Sequence, residues 1–158
     1  MIEAIDKAVI FQVAGGEYAI SIQDVISIEK EENITSVAQL PSYVIGITKV
    51  RDELIPVIDL ENILYNKTST SSEHNRLIVI RQEELSFAVL VHAAKEIIDV
   101  KAEMVKQAGL SVYQKTSYFT GVLNVEDDRL IMMIDPKNLL DSLAGLNDIK
   151  DYMNKQPV

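Results

Sequence analysis

With 158 residues, 47% of them hydrophobic, the chain is long enough to bury a core and too apolar to remain disordered. Its formal charge of −9 excludes a phosphate-binding surface, which needs clustered Lys and Arg, and its lack of cysteine excludes a disulfide framework and a thiolate zinc site. No apolar run approaches the ~20 residues that cross a bilayer, and the acidic start MIEAIDKAV lacks the basic flank of an export signal, so cytoplasmic residence is expected.

Residues 1–7 are expected to form a frayed leader. Ala8 to Val13 is β-branched and aromatic and predicts a strand; Ala14-Gly15-Gly16-Glu17 predicts a glycine turn with positive φ. The alternating Tyr18-Ala19-Ile20-Ser21-Ile22 predicts the return strand, with Tyr18, Ile20 and Ile22 on one face. From Gln23 to Ile28 the pattern fits a helical turn and a strand equally, because Ile22, Val25 and Ile28 are spaced by three. A charged loop from Glu29 to Asn33 follows, and Pro41 stops any helix in favour of an extended turn. Val44 to Ile47 predicts a strand, Lys49 to Glu53 a charged turn, and Leu54 to Asp59 the returning strand. Pro56 has no N–H to give a ladder, which predicts an edge or bulge position, and Asp59 is placed to cap a short helix through Leu64. Asn66 to Asn75 is polar and rich in Ser and Thr, and reads as a solvated linker without an apolar anchor.

Beyond the linker, Arg76–Ile80 and Phe87–Val91 predict a second hairpin, and Lys95–Val100 a further strand. Lys101 to Ala108 is a charged connection with room for one helical turn. Tyr118–Leu123 and Arg129–Asp135 close the series of strands. From Pro136 a helix can begin, with Leu139, Leu140, Leu143 and Leu146 as its apolar stripe and Gly145 weakening it. The tail after Asn147 is polar and expected to be loosely held.

One stretch occurs twice. GITKVRDELIPVIDLENIL, from Gly46 to Leu64, returns with one insertion as GVLNVEDDRLIMMIDPKNLL, from Gly121 to Leu140. Phe87 to Val91 stands in for Tyr18 to Ile22 in the same order, so the repeat spans two halves of similar internal spacing. About ten short strands in two quasi-repeats must close or stack to hide their edges. The expected fold is therefore mainly β, two small five-stranded β-barrels packed together with a C-terminal helix. The first lobe would cover 9–65, the linker 66–75, the second lobe 76–140, and the helix and tail 136–158, with the lobes free to exchange terminal strands. Lobes of this size bury too little surface alone, which predicts a shared apolar interface.

Chemistry is sparse. Asp59 and Asp135 can be read as a paired acid and base, but as products of an internal repeat they are better read as helix caps in separate lobes. His74 sits in the linker and His92 follows a strand, with no companion at metal-ligand spacing. There is no phosphate-binding glycine loop, and Asp127-Asp128-Arg129 reads as a turn, not a calcium loop. No cofactor or metal is expected. Within the charged turn, Lys49 and Glu53 read as solvated, whereas the planar donor fork of Arg51 suits a carboxylate or backbone oxygens at a protein interface. A small acidic hydrolase or ligand-binding protein using Asp59 or Asp135 stands as the alternative function.

These motifs resemble those of a known family. Gly46-Ile47-Thr48-Lys49-Val50-Arg51 followed by Ile55-Pro56-Val57-Ile58-Asp59-Leu60 is similar to the signature of the CheW-like coupling proteins of bacterial chemotaxis. The opening Phe11-Gln12-Val13 through Glu17-Tyr18-Ala19-Ile20 resembles that family's first hairpin, and Gly121 to Leu140 its closing segment. The resemblance implies two five-stranded SH3-like barrels, no catalysis, and a scaffold joining the regulatory domain of the histidine kinase CheA to the cytoplasmic tips of chemoreceptors. It implies no nucleic acid and no insertion into the membrane. By the same similarity Arg51 takes the signature arginine position, beside Gly46 and Lys49, and Ile22, Val25 and Ile28 line the groove that receives the receptor tip. Four residues depart from the pattern: Lys49 for Asn, Asp52 for Gly, Ser27 for Glu and His92 for Asp. They imply a paralogue serving a different receptor set or another kinase.

Overall fold

The structure is a computed structural model that describes residues 7–106, 118–126 and 129–155. The expected leader up to residue 6, the end of the charged connection at 107–108, the acidic pair 127–128 and the last three residues of the tail lie outside the described residues.

β1 (Lys7–Val13) and β2 (Gly16–Ser21) form a hairpin around Ala14 and Gly15, which take φ of 50° and 84°. Ile22–Asp24 is a single 3₁₀ turn and β3 (Val25–Lys30) follows it, so both readings of 23–28 are realised in succession. The expected loop at Glu29 and Lys30 is the end of that strand. β4 (Val44–Val50) and β5 (Glu53–Asp59) form a second hairpin, and Asp59 caps α1 (Leu60–Tyr65) by accepting from the Glu61 N–H. After the linker come β6 (Arg76–Ile80), β7 (Phe87–Val91) and β8 (Ala93–Asp99). The charged connection holds the expected turn at Ala102–Met104 and, unexpectedly, a two-residue strand, β9 (Val105–Lys106). β10 (Phe119–Val125), β11 (Arg129–Ile134), α2 (Pro136–Asp141) and α3 (Leu146–Asn154) complete the described chain.

The strands make a six-stranded sheet in the order β8-β1-β2-β11-β10-β9 and a five-stranded sheet in the order β3-β6-β7-β5-β4. Five strands each were expected; the sixth is β9. Apart from it the two orders are equivalent, and each sheet combines the hairpin of one half with three strands of the other. The halves 9–65 and 76–140 and the two sheets therefore do not coincide strand for strand. The repeat extends to detail. β4 and β10 each slip register at the residue before the repeated glycine, Gly46 or Gly121. The Asp59 N–H donates to the Tyr43 carbonyl and the Asp135 N–H to the Tyr118 carbonyl, both at 2.8 Å.

Exchange of the hairpins buries them on both faces. Ala8 and Ile10 of β1 pack into one apolar cluster with Leu123, Ile131 and Met133, whereas Val9, Phe11 and Val13 face a second. That second cluster also contains Ile58, Ile78, Ile80, Phe87 and Val89 from the other sheet, so it is the shared interface between the two. A third cluster, with Ile55, Val57, Leu77 and Leu90, lies on the far face of the five-stranded sheet. Burial on both sides explains why β1, β6 and β7 read as nearly unbroken apolar runs instead of alternating. Pro56 sits in a central strand, not at an edge. Ile47, opposite it, makes both backbone bonds to Thr35 on its other side, and the parallel ladder from β5 to β7 begins only at Val57. No N–H is required of Pro56 at that position.

The single C-terminal helix expected from the leucine stripe is two helices. Gly145 adopts φ of 79°, and a Cβ there would meet Pro41 Cγ at 2.9 Å. The tail expected to be loose is largely α3. Leu146, Ile149 and Met153, spaced three and four apart, place one apolar side against the shared core, where Ile149 is fully buried. Lys150 Nζ pairs with Glu84 Oε2 at 2.5 Å on the outer side. Ile149→Ala should cost about 2 kcal/mol, the low end for a buried large-to-small change because a terminal helix can settle into the space; a urea midpoint measures it.

The Tyr43 hydroxyl donates to the Ala144 carbonyl at 2.6 Å. Burial, assisted by Asp148, pushes its pKa up to about 12, and burial also raises Tyr18 and Tyr118. The folded protein therefore holds these protons after the unfolded chain has released them near pH ~10, so stability should fall as pH rises from about 10 to about 12. Urea midpoints at about pH 9 and about pH 11.5 would show the decline, and Tyr43→Phe should make it shallower.

Candidate docking surface

The hairpin between β4 and β5 closes at the pair Val50 and Glu53, which leaves Arg51 and Asp52 as a two-residue turn. Both are left-handed, with φ of 50° and 66°. Such turns match the twist of the strands but favour Asn and Gly, so Arg51 is held in a conformation it adopts at some cost. Asp52, a residue type that tolerates the left-handed region, fits this turn. Arg51 is exposed, and its guanidinium makes no hydrogen bond or ion pair with the described residues. Lys49 is exposed one turn-length away and only loosely paired with Asp52, at 4.0 Å.

Arg129, which opens β11 as Glu53 opens β5, is engaged internally. Arg129 forks to Glu17 at 2.9 and 2.8 Å and reaches Glu96 at 2.6 Å, so its donors are engaged within the six-stranded sheet. These two carboxylates hold its proton more firmly than usual.

Beneath the Arg51 turn, Thr48 is buried opposite Ile55, and its hydroxyl donates to the Asn33 carbonyl at 3.2 Å. Thr35 bridges Ile47 through two backbone bonds of 2.8 Å, joining the segment after β3 to β4. Gly46 is buried directly under this bridge: a Cβ there would lie 2.1 Å from the Thr35 oxygen. Its part is to admit a backbone, and it presents no surface. The end of β3 and the turn enclose a hollow of about 280 Å³ lined by Glu29, Lys30, Asn33, Lys49 and Arg51, with Leu77 at its base.

Ile22, Val25 and Ile28 share a face for two local reasons. The 3₁₀ turn repeats every three residues, carrying Ile22 to Val25. A bulge between Val25 and Ser27 then sets Val25 opposite Ile80 and Ile28 opposite Ile78, two residues of one face. Ile22 and Val25 are half-buried against the shared core, whereas Ile28 is 39% exposed. At ~3.3 Å per residue, Val25 lies roughly 10 Å along β3 from Ile28, and the hollow at Lys49 and Arg51 meets β3 beyond this row, at Glu29 and Lys30. Ser27, in the bulge, has a buried hydroxyl with no partner among the described residues. The same geometry recurs on β8, where Ile97 sits opposite Val9 and is 54% exposed.

Asp59 and Asp135 are committed as helix caps. Asp135 Oδ1 accepts from the N–H groups of Lys137 and Asn138, and Asp59 from Glu61 and Ser69. His92, read from sequence as solitary, is not. Its Nε2 lies 3.0 Å from Ser69 Oγ and 3.2 Å from Glu61 Oε1, while Ser69 Oγ donates to Asp59 Oδ1 at 2.6 Å. The linker is likewise anchored, by Ser69 here and by buried Asn75, whose amide donates to Glu31 and to the Thr70 carbonyl. Serine, histidine and carboxylate are thus in contact, yet the order is wrong for nucleophilic catalysis. The Ala14 N–H can only donate, and it donates to His92 Nδ1 at 3.0 Å, which places the neutral ring's proton on Nε2. A ring protonated toward Ser69 cannot take the serine proton. Nothing in the spacing of residues 59, 61, 69 and 92 announces this network, because a linker brings them together. No group of three or more metal-ligating side chains fit to hold an ion occurs among the described residues, and none of the described helices is long and apolar enough to cross a membrane.

Comparison with known proteins bears on most of the chain. The family described as CheW-like domain matches residues 7–144. The chain is 29% identical over 146 residues to a chemotaxis protein CheW of Bacillus subtilis, covering 92% of this chain and 94% of that one. It is 27% identical over 134 residues to a chemotaxis protein CheW of Klebsiella aerogenes, covering 84% and 80%. In three dimensions it is similar to the crystal structure of the scaffolding protein TtCheW from Thermoanaerobacter tengcongensis, with a TM-score of 0.73 and 26% identity over 83% of this chain and 84% of that one.

Proposed function

Because the chain belongs to the CheW-like domain family, we propose that it is a non-catalytic scaffold of bacterial chemotaxis, joining the regulatory domain of the histidine kinase CheA to the cytoplasmic tips of chemoreceptors. It works in the cytoplasm and reaches receptor arrays through those partners. The observation that carries the reading is Arg51, an exposed guanidinium without hydrogen-bond or ion-pair partners among the described residues, held out on a left-handed turn at the position that resembles the family's signature arginine. A planar fork with free donors is suited to carboxylates and carbonyls of another protein, and the fixed turn limits the entropy lost on docking. Lys49 flanks it, and Ile22, Val25 and Ile28 supply an apolar row along β3. The core shared between the sheets makes the molecule one body, so a partner bound at one surface is held in a fixed relation to a partner at another. Kinase control would then follow from linkage through that body, with no bond made or broken in it.

Lys49, Ser27, Asp52 and His92 favour a second reading within the same class, a paralogue that serves another kinase or receptor set. A pull-down from native lysate with the tagged chain separates the readings. Recovery of CheA together with a receptor supports the first; recovery of a different kinase and receptor pair supports the second; recovery of neither kinase nor receptor contradicts both.

A further inference from the structure

Three elements meet where the chain leaves β7 for the other sheet. His92 occupies the crossing. Its backbone N–H donates to the Gln12 carbonyl at 2.8 Å, and its Nδ1 accepts from the Ala14 N–H at 3.0 Å. On the other side of the ring, Nε2 faces Ser69 Oγ and Glu61 Oε1, and Ser69 is held by Asp59 through both its hydroxyl and its N–H. A continuous row of hydrogen bonds therefore runs from the cap of α1, through the linker and the imidazole, to the tip of the β1–β2 hairpin.

Only one link in this row requires a neutral ring. A proton added to the imidazole must go to Nδ1, since Nε2 already carries one, and Nδ1 then becomes a donor facing the donor of Ala14. That bond is lost. The links on the Nε2 side survive, because Nε2 donates in both states. The charged groups that face the ring are Glu61 from α1, directly, and Asp59 from the end of β5, through Ser69. His74 lines the same hollow as His92, beside Gln12, Thr70 and Asn75, and is the other titratable group there. The Ala14 amide is the group whose bond a proton on Nδ1 breaks. Ala14 also has the most to lose, as it is an alanine at φ of 50° in the first position of a two-residue turn that favours Asn or Asp.

We propose that His92 is a proton-operated clasp, holding the β1–β2 turn to the sheet crossing while the ring is neutral and releasing Ala14 and Gly15 when the ring is protonated. The bond from the His92 N–H to Gln12 does not depend on the ring, so the sheets stay joined and the response is confined to the turn.

The test is amide hydrogen exchange and ring ¹⁵N shifts on the labelled full chain, between about pH 8 and about pH 5, the range in which imidazoles change charge. The protection factor of Ala14 should fall by roughly tenfold as Nδ1 takes up its proton, with those of Ser69 and His92 unchanged. His92→Asn, whose side-chain oxygen sits close to the Nδ1 position and does not titrate, should keep Ala14 protected at both ends of the range. His92→Ala should leave it unprotected at both. Constant Ala14 protection in the unmodified protein overturns the proposal. So does a parallel loss at Ser69, which would mean general loosening in acid, or an unchanged pH response in His92→Asn.

Discussion

Gly46→Ala should lower stability by about 4 kcal/mol, large against the 5–15 kcal/mol that holds a typical domain folded. A Cβ at this position would stand 2.1 Å from the Thr35 oxygen and 2.7 Å from its carbonyl carbon, and the obstacle is backbone, which cannot rotate aside. The segment that crosses β4 would have to lift. Lifting it breaks the two bonds between Thr35 and Ile47 and weakens the bond from Thr48 to Asn33. Two backbone bonds at about 1 kcal/mol each, with overpacking of about 2, give the total. In a chain of this size the melting temperature should drop by roughly 10 °C, which calorimetry reads directly. An alanine protein as stable as the original would show that this close approach does not exist.

Arg51→Glu should weaken binding to the partner that docks on the β4–β5 turn by roughly 100-fold, or about 2.8 kcal/mol, while leaving the fold intact. The guanidinium makes no hydrogen bond or ion pair among the described residues, so the core does not depend on it, and glutamate fits the same exposed turn. Reversal of charge replaces five donors with two acceptors that repel carboxylates. Isothermal titration with the CheA regulatory domain and, separately, with a receptor cytoplasmic fragment identifies which partner uses the turn. Unchanged affinity for both would remove Arg51 from the interface.

The repeat carried most of what could be read in the sequence. The two glycines, the apolar strands after them and the two capping aspartates recur because the same bulged hairpin and helix cap are built twice, and each is a local structure with a local signature. Which strands pair was not legible. Alternation and apolar runs mark strands without naming their neighbours, so the exchange of hairpins between halves shows only in the sheet order. α3 escaped because Asn147, Lys150, Asp151 and Asn154 dominate its composition; only the spacing of Leu146, Ile149 and Met153 betrays its buried side. Pro56 misled because a proline's missing donor was weighed without the Thr35 bridge, which supplies Ile47 with its backbone partners from outside the hairpin. At the candidate docking surface, the spacing of Ile22, Val25 and Ile28 is visible in the sequence, but it resolves into a turn followed by a bulge, a combination no single period describes.

The proposed scaffold engages two partners together as one body. Sedimentation velocity on the purified chain with the CheA regulatory domain and a receptor cytoplasmic fragment tests it most directly. A boundary heavier than either two-component complex and containing all three proteins is the predicted result. Partners that displace one another, or that do not bind, would contradict it.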